Sequence, residues 1–427
     1  MDSELIVGLD IGTTKVCAAV GEVSQDGTVK IVGAGECESK GLRKGMVVNI
    51  EDTVRSIRQA VAEAGQFAGC EIGSVYVGIA GGHIMGLNSH GVIAIQGNEV
   101  TRDDMNRVLD AARAVAIPSD REVLHTLPQE YIVDGQRGIA DPLGMCGVRL
   151  EVNVHIVTGA ASSAQNIVRS CNRAGLEVID IALESLASAK AILTDEEREI
   201  GVALVDVGGG TCDVAIFENN AIMHTAVVPL GGATLTNDIA FGLRTATKNA
   251  ENIKVKYGCA LRDLVQENEI IEVPSVGGRP PQRLSRQVLA DICEPRMEEI
   301  FEYVNKTLVA SGCKERIRAG VVLTGGASLI EGCDQLASQV FGMPTRVGYP
   351  LNVGGLADVV NNPKYATAVG LLHYGAEQEA RRSEDGYSGR PISRADAEGE
   401  DAPVLPQKGG LFTRILSRMK SWFSDVK

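Results

Sequence analysis

Aromatic residues are scarce in this chain, at 4% with a single tryptophan, so its cores must be filled by Val, Ile, Leu and Ala, as in α/β layers. The ten cysteines stand singly, with no C-x-x-C pair and no histidine at metal-ligand spacing. That spacing speaks against zinc and predicts small buried thiols in a reducing, cytosolic compartment. A basic excess is also missing. The formal net charge is -14, which leaves no concentrated positive surface for a phosphate backbone and predicts no nucleic-acid partner. No run approaches the roughly 18 apolar residues of a membrane-spanning helix. The start, Met1-Asp2-Ser3-Glu4, has neither the basic nor the apolar stretch of an export signal.

What is present is length, 427 residues, with 44% apolar and 22% charged, enough for two lobes that each bury a core. From Leu5 to about Ala376 short β-branched runs alternate with helical patterns. Strands are predicted at Leu5 to Leu9, Val75 to Ile79, Val152 to Val157, Val202 to Val207 and Gly320 to Leu323. Helices are predicted at Asp52 to Phe67, Arg102 to Ala114, Ala164 to Ala174 and Ser285 to Ala310.

One unit occurs twice: a buried strand ends in Asp, a glycine turn with threonine follows, and another strand begins. The first is Asp10-Ile11-Gly12-Thr13-Thr14-Lys15 and the second Asp206-Val207-Gly208-Gly209-Gly210-Thr211-Cys212-Asp213. Turns with many free backbone N–H groups cradle phosphate oxygens, and an acid at the strand end can hold a water on Mg²⁺. Either turn alone is ordinary hairpin chemistry. As a pair they could close on a triphosphate from both sides. A third element, Val322-Leu323-Thr324-Gly325-Gly326-Ala327-Ser328, is a strand emptying into a glycine pair, where a flat base or ribose can approach the backbone. Glu251 and Lys254, three apart on one helix face, could reach an adenosine from the other side; an exposed ion pair is the plainer reading.

The last segment is legible on periodicity alone. Leu411, Phe412, Ile415, Leu416, Met419, Trp422 and Phe423 form one apolar stripe flanked by Arg414, Arg418 and Lys420, the pattern of an interfacial amphipathic helix that meets anionic lipid. Residues 377–410 carry almost no large apolar side chain and are predicted to be a coil of roughly 30 Å span that tethers it.

These motifs resemble those of the actin, Hsp70 and sugar-kinase superfamily. Asp10 to Lys15 and Asp206 to Asp213 look like its two phosphate motifs, Leu183 to Ala189 and Ala366 to Leu371 its connecting helices, and Val322 to Ser328 its adenosine motif. Within it, Ser39 to Gly45, Leu127 to Tyr131, Val273 to Pro281 and Val369 to Gly375 are similar to the FtsA family of bacterial cell-division proteins. The resemblance implies an α/β, actin-like (duplicated, ribonuclease H-like) bilobed ATPase fold with an inserted subdomain in place of one actin subdomain. The first lobe would hold residues 1–83 and 163–193 with a second connecting helix at 363–376, the insert 84–162, and the second lobe 194–362. A linker at 377–410 and the amphipathic helix at 411–427 would follow.

It further implies ATP and Mg as cofactors, with Asp10 and Asp206 holding the metal through water and Glu184 placed to orient an attacking water. Binding follows more safely than turnover. By the same resemblance the partners are further copies of the chain in filaments, the C-terminal tail of FtsZ, anionic lipids, and other division proteins on the insert. The place is the inner face of the cell membrane at the division site. Arg286, Arg296 and Glu299, on the long helix, could meet the FtsZ tail. Three rivals share the superfamily: a sugar or carboxylate kinase, which would have no reason for the C-terminal stripe; an Hsp70-like chaperone, which would need a further domain; and a PilM-like pilus-assembly protein.

Overall fold

The chain carries the same sheet twice, and in the computed structural model residues 4–24, 28–277 and 279–384 are described. In the first lobe the strand Glu4–Ile11 turns back antiparallel into Lys15–Val23 and then Val29–Glu38, and on its other side runs parallel to Ser74–Ile79, which pairs with Glu177–Leu183. In the second lobe Val202–Val207 turns back into Cys212–Glu218 and Ala221–Val228, and on its other side runs parallel to Val321–Thr324, which pairs with Thr345–Val347. Three antiparallel strands followed by two parallel ones is thus common to both, and the first sheet adds Val353–Gly355 as a sixth strand beside Val29–Glu38. Central strands such as Val-Ala-Leu-Val-Asp-Val are buried at every position, as strands covered on both faces must be.

Helices are set by apolar spacing and capped ends. Ile50–Ala68 starts at Asn49, whose side chain accepts from Asp52 N, and ends at Gly69 in the left-handed region with φ 67°. Its buried Val54, Ile57, Ala60 and Ala64 lie on the strand Val29–Glu38, and Gly35 admits them closely: a methyl group there would lie 2.1 Å from Ala60 O. Arg286–Ala310 begins at Ser285 and buries Leu289, Cys293, Met297, Ile300, Phe301, Val304 and Leu308, each contributing roughly 1.5 to 3 kcal/mol when large and apolar.

Two helices join the lobes, Glu184–Ile192 and Ala366–Glu384. They cross at Gly370, where a methyl group would fall 1.8 Å from Ala187 O, so only hydrogen fits the crossing. The second helix is longer than the sequence suggests. Residues 377–384, expected as the start of a coil, are its last turns, because Glu377 pairs with Lys190 and with Arg381 (2.6 Å), and Glu379 with Tyr76 and with Arg382 (2.6 Å). The remainder of the expected linker and the whole stripe at 411–427 lie outside the described residues. Val353–Gly355, within the range expected for the second lobe, pairs parallel with Val29–Glu38 of the first. Among the described residues no helix is long and apolar enough to cross a membrane.

The insert is a four-stranded sheet in the order Met85–Ala94, Arg149–Ala160, Arg121–Val133, Gln136–Ile139, with Arg102–Arg113 packed on it through Val108 and Ala112. Thr101 and Asp104 cap that helix reciprocally. The insert touches the second lobe along the strand Ala221–Val228. Gln129 Nε2 donates to Ile222 O (2.8 Å) and Asn88 Nδ2 to Met223 O (3.4 Å). The buried imidazole of His155 lies 2.6 Å from Asn88 Oδ1 and 2.8 Å from Thr225 Oγ1. Burial, with His224 alongside, pushes His155 down to about 4, so it stays neutral and can donate from Nδ1 while accepting at Nε2.

Candidate functional site

Both glycine turns close in the same way. Gly12 N donates to Lys15 O (3.0 Å) and Gly208 N to Thr211 O (2.9 Å), so each loop holds itself shut. The turns meet tip to tip. A methyl group at Gly209 would lie 2.3 Å from Thr14 Cγ2, and one at Gly210 2.6 Å from Thr13 Oγ1 and 3.0 Å from Lys44 Cα. Thr13 Oγ1 accepts from Gly45 N (3.0 Å), which ties the turn Lys44-Gly45 to the same junction.

The third and fourth elements join them. Gly325, with φ +83°, adopts a conformation that L side chains avoid, and a methyl group there would lie 2.3 Å from Asp206 Oδ1. Ser328 Oγ donates to Gly325 O (2.7 Å) and fixes the turn. The helix Gly232–Gly242 starts beside the second loop, with Gly232 N donating to Gly208 O (2.9 Å) and Ala233 N to Gly209 O (2.7 Å). Gly232 then brings the others together: its added methyl would meet Ala327 Cβ at 3.1 Å and Lys254 Nζ at 3.3 Å. Lys254 is buried, donating to Thr236 Oγ1 (2.9 Å), Gly232 O (3.2 Å) and Glu251 Oε2 (2.8 Å). The ammonium of this pair is therefore buried, while the Glu251 side chain stays partly exposed.

Four carboxylates line this cleft. Burial pushes Asp206 up to about 6, although Ser188 Oγ donates to it (2.8 Å), and burial with the charge of Asp206 pushes Asp213 up to about 7. Asp10 is raised by burial against the pull of Lys15, whose Nζ stands 3.4 Å away. Glu184, first residue of its helix and packed on Gly78, is raised well above the carboxylate range by burial and by the charges of Asp10, Asp213 and Asp206. Thr211 Oγ1 donates to one oxygen of Asp213 (2.9 Å), while Asp213 Oδ1 is buried without a hydrogen-bond partner. Such mutual repulsion fits a site that receives a cation. Among the described residues no three His, Cys, Asp or Glu side chains form a direct ligand set.

The residues singled out in the two loops, the Gly325-Gly326-Ala327 turn, the Glu251–Lys254 pair and Glu184 are thus brought to one place. Arg286, Arg296 and Glu299 lie elsewhere, and their charges are already matched. Arg286 donates to Tyr257 O (2.9 Å) and pairs with Glu269 (2.8 Å) and Glu331, while Arg296 pairs with Asp238 and Glu299. Arg414, Trp422 and the rest of the C-terminal stripe lie outside the described residues. Ser188 and Thr367 fall within the two stretches that resemble connecting helices but carry no site role in the sequence, and sequence reasoning passed over Gly231-Gly232, Thr236, Glu36, Lys364 and Tyr365. Of these only the glycine pair before a helix carried a local signal.

Comparison with known proteins bears on the family and the fold. A family model described as "Cell division protein FtsA" matches residues 203–370, and one described as "SHS2 domain inserted in FTSA" matches residues 81–158. The curated protein "Cell division protein FtsA" of Pseudomonas aeruginosa is 54% identical over 98% of this chain and 97% of its own length. That of Escherichia coli K12 is 45% identical over 88% and 91%. Among solved structures, the "PilM-PilN type IV pilus biogenesis complex" superposes with a TM-score of 0.61 at 16% identity, covering 87% of this chain and 98% of that one. The "Crystal structure of MreB5 of Spiroplasma citri bound to ADP" gives 0.53 at 14% identity, covering 90% and 98%. At such identities these two show the fold, which is actin-like.

Proposed function

Because the chain belongs to the FtsA family of cell-division proteins, we propose that it is an ATP-binding actin-like protein that polymerises on the inner face of the cytoplasmic membrane. There it would anchor the FtsZ ring at the division site and receive later division proteins on its insert. The observation that carries the nucleotide half is the tip-to-tip meeting of two glycine turns from different lobes, Thr13-Thr14 against Gly209-Gly210, among four buried or half-buried carboxylates. The loop amides and Lys15 would take the phosphates, and Gly325 to Ala327 with Glu251 and Lys254 the adenosine. Mg would sit on Asp10 and Asp206 through its waters and offset phosphate charge. Glu184 stands beside those acids, in a place from which it could orient a water. Binding is the proposed role, with turnover at most weak.

The membrane half rests on the stripe at 411–427. Each large apolar side chain buried in the interface would contribute roughly 1.5 to 3 kcal/mol and each basic residue about 1 kcal/mol near anionic lipid, offset by the cost of ordering the helix. A single tail would hold reversibly, and a filament would hold through many. For the FtsZ tail, Arg286, Arg296 and Glu299 remain the proposed contact, with the tail's acids competing for Arg286 against Glu269 and Glu331 and for Arg296 against Asp238.

One experiment tests both halves: electron microscopy on an anionic lipid monolayer with Mg-ATP, comparing the full chain with one ending at Gly410. Filaments on the monolayer for the full chain alone are expected. Equal decoration by both chains would remove the anchor, and ordered phosphorylation of a sugar without lipid would replace the reading altogether.

A further inference from the structure

The lysine of the first glycine turn is held from two sides. On one side Lys15 Nζ stands 3.4 Å from Asp10 Oδ2, at the long end of a hydrogen bond; on the other it lies over the ring of Tyr365, 5.3 Å from the centroid. Tyr365 is buried and has little freedom. Its hydroxyl donates to Glu36 Oε2 (2.8 Å), and its backbone N donates to Asn362 O (2.9 Å). The preceding residue, Lys364, is fixed through its own N by Asn362 Oδ1 (3.1 Å), and Pro363 O accepts from Thr324 Oγ1 (3.3 Å). Thr324 ends the second lobe's strand just before Gly325, whereas Glu36 belongs to a strand of the first lobe. The ring is therefore located by both lobes.

A second ammonium, that of Lys364, also lies over this ring, 4.8 Å from the centroid. Two cations at one ring repel unless an anion intervenes, and Glu36 supplies it, pairing with Lys364 at 2.7 Å through the oxygen that accepts the Tyr365 hydroxyl. Against its burial, these two bonds and the charges of Lys15 and Lys364 hold the Glu36 carboxyl below its usual range. The cluster thus keeps Lys364 occupied and leaves the Lys15 ammonium between a distant carboxylate and an aromatic face.

We infer that Tyr365 is a positioning residue for Lys15: its ring, fixed by Glu36 and by the Asn362–Pro363 turn, holds the lysine where it meets phosphate oxygens of a bound nucleotide. The inference rests on the nucleotide reading above. An aromatic face attracts an ammonium without competing for its N–H donors, so it can hold the side chain in place and still leave those donors to a ligand.

The test is calorimetric titration of the full chain with Mg-ATP and with AMP, because a phosphate-directed lysine changes the ratio of the two affinities while a general packing role changes both alike. Lys15→Ala sets the scale by lowering the ratio. Tyr365→Leu should lower it about five- to thirtyfold, Tyr365→Phe should restore most of it, and Tyr365→Leu should add little in the Lys15→Ala background. Should Tyr365→Leu melt too low to titrate, Tyr365→Met, which also lacks the aromatic face, carries the same comparison. An equal loss for ATP and AMP, a full additional loss on top of Lys15→Ala, or an unchanged ratio in either variant overturns the inference alone. A wild-type chain that binds no ATP removes the nucleotide reading, and this inference with it.

Discussion

In the first hairpin Asp10 stands opposite Cys17, whereas in the second, at the same distance along the turn, Asp206 stands opposite Asp213. The residue whose carbonyl closes the turn is Lys15 in one and Thr211 in the other. The backbone plan is shared and the charge is not. The first loop carries its own counter-cation and the second accumulates acid, leaving Asp213 Oδ1 buried without a partner. One backbone plan therefore carries opposite electrostatics, a paired cation in the first loop and crowded carboxylates in the second, as the proposed anion cradle and cation site require.

That asymmetry can be broken at graded cost. The largest effect is expected from Gly209→Val, since even one added carbon meets Thr14 Cγ2 at 2.3 Å and the loops must part. ATP affinity should fall by roughly 100-fold or more while the melting temperature of the ligand-free chain changes little. A fluorescent ATP analogue reads the first and calorimetry the second, and retained affinity would mean that the loops need not meet.

Next comes Lys15→Ala, which removes the cation of the first loop. Loss of a charge-assisted bond predicts about a tenfold to hundredfold weaker affinity for ATP, and the ligand-free chain should also show greater sensitivity to Mg, because Asp10 then resembles Asp206. Unchanged Mg dependence would show that the two loops are not complementary in this sense.

Asp213→Asn should give the smallest change, in stability and its pH dependence. A carboxyl whose folded value is raised, here to about 7 for Asp213 and about 6 for Asp206 from an ordinary 3.8, binds more protons folded than unfolded. Its stabilising contribution is full below about pH 4 and is lost as pH rises through 6 and 7. The ligand-free chain should accordingly lose stability between about pH 4 and 8, and Asp213→Asn should flatten that decline, gaining roughly 1 to 3 kcal/mol at pH 8. Mg should flatten it in the parent chain and do less in the variant. Denaturant melts across that range provide the measurement.

Both loops were legible in the sequence because their chemistry is local: Asp two residues before Gly, with Thr soon after, favours a turn before any tertiary contact forms. The long helix, expected from Ser285 to Ala310, was legible too through its apolar spacing, with Ser285 proving to be its cap. What escaped were residues whose meaning comes from a partner far along the chain. Ser188 and Thr367 read as small residues in helices, and only the crossing of those helices sets them 3.0 Å apart beside Asp206. Tyr365 reads as a core aromatic until Glu36 and Lys15 are placed around it. Lys254 fits an exposed helix face in sequence, and packing against Gly232 buries it. The end of the last helix was set too early because Glu377 and Glu379 look like coil residues, and their partners Lys190 and Tyr76 cannot be seen from the run itself.

The contact between the insert and the second lobe has a consequence for handling the protein. Ala221–Val228 is an edge strand, and an open edge is a template on which another chain can build a sheet. Here Gln129 and Asn88 cover two of its carbonyls, at Ile222 and Met223, with side-chain amides instead of a further strand. Such a cover opposes sheet extension without fusing the insert and the lobe into one ladder. Excising residues 84–162 to obtain a smaller particle would uncover that edge, and the shortened chain should be prone to aggregate through it.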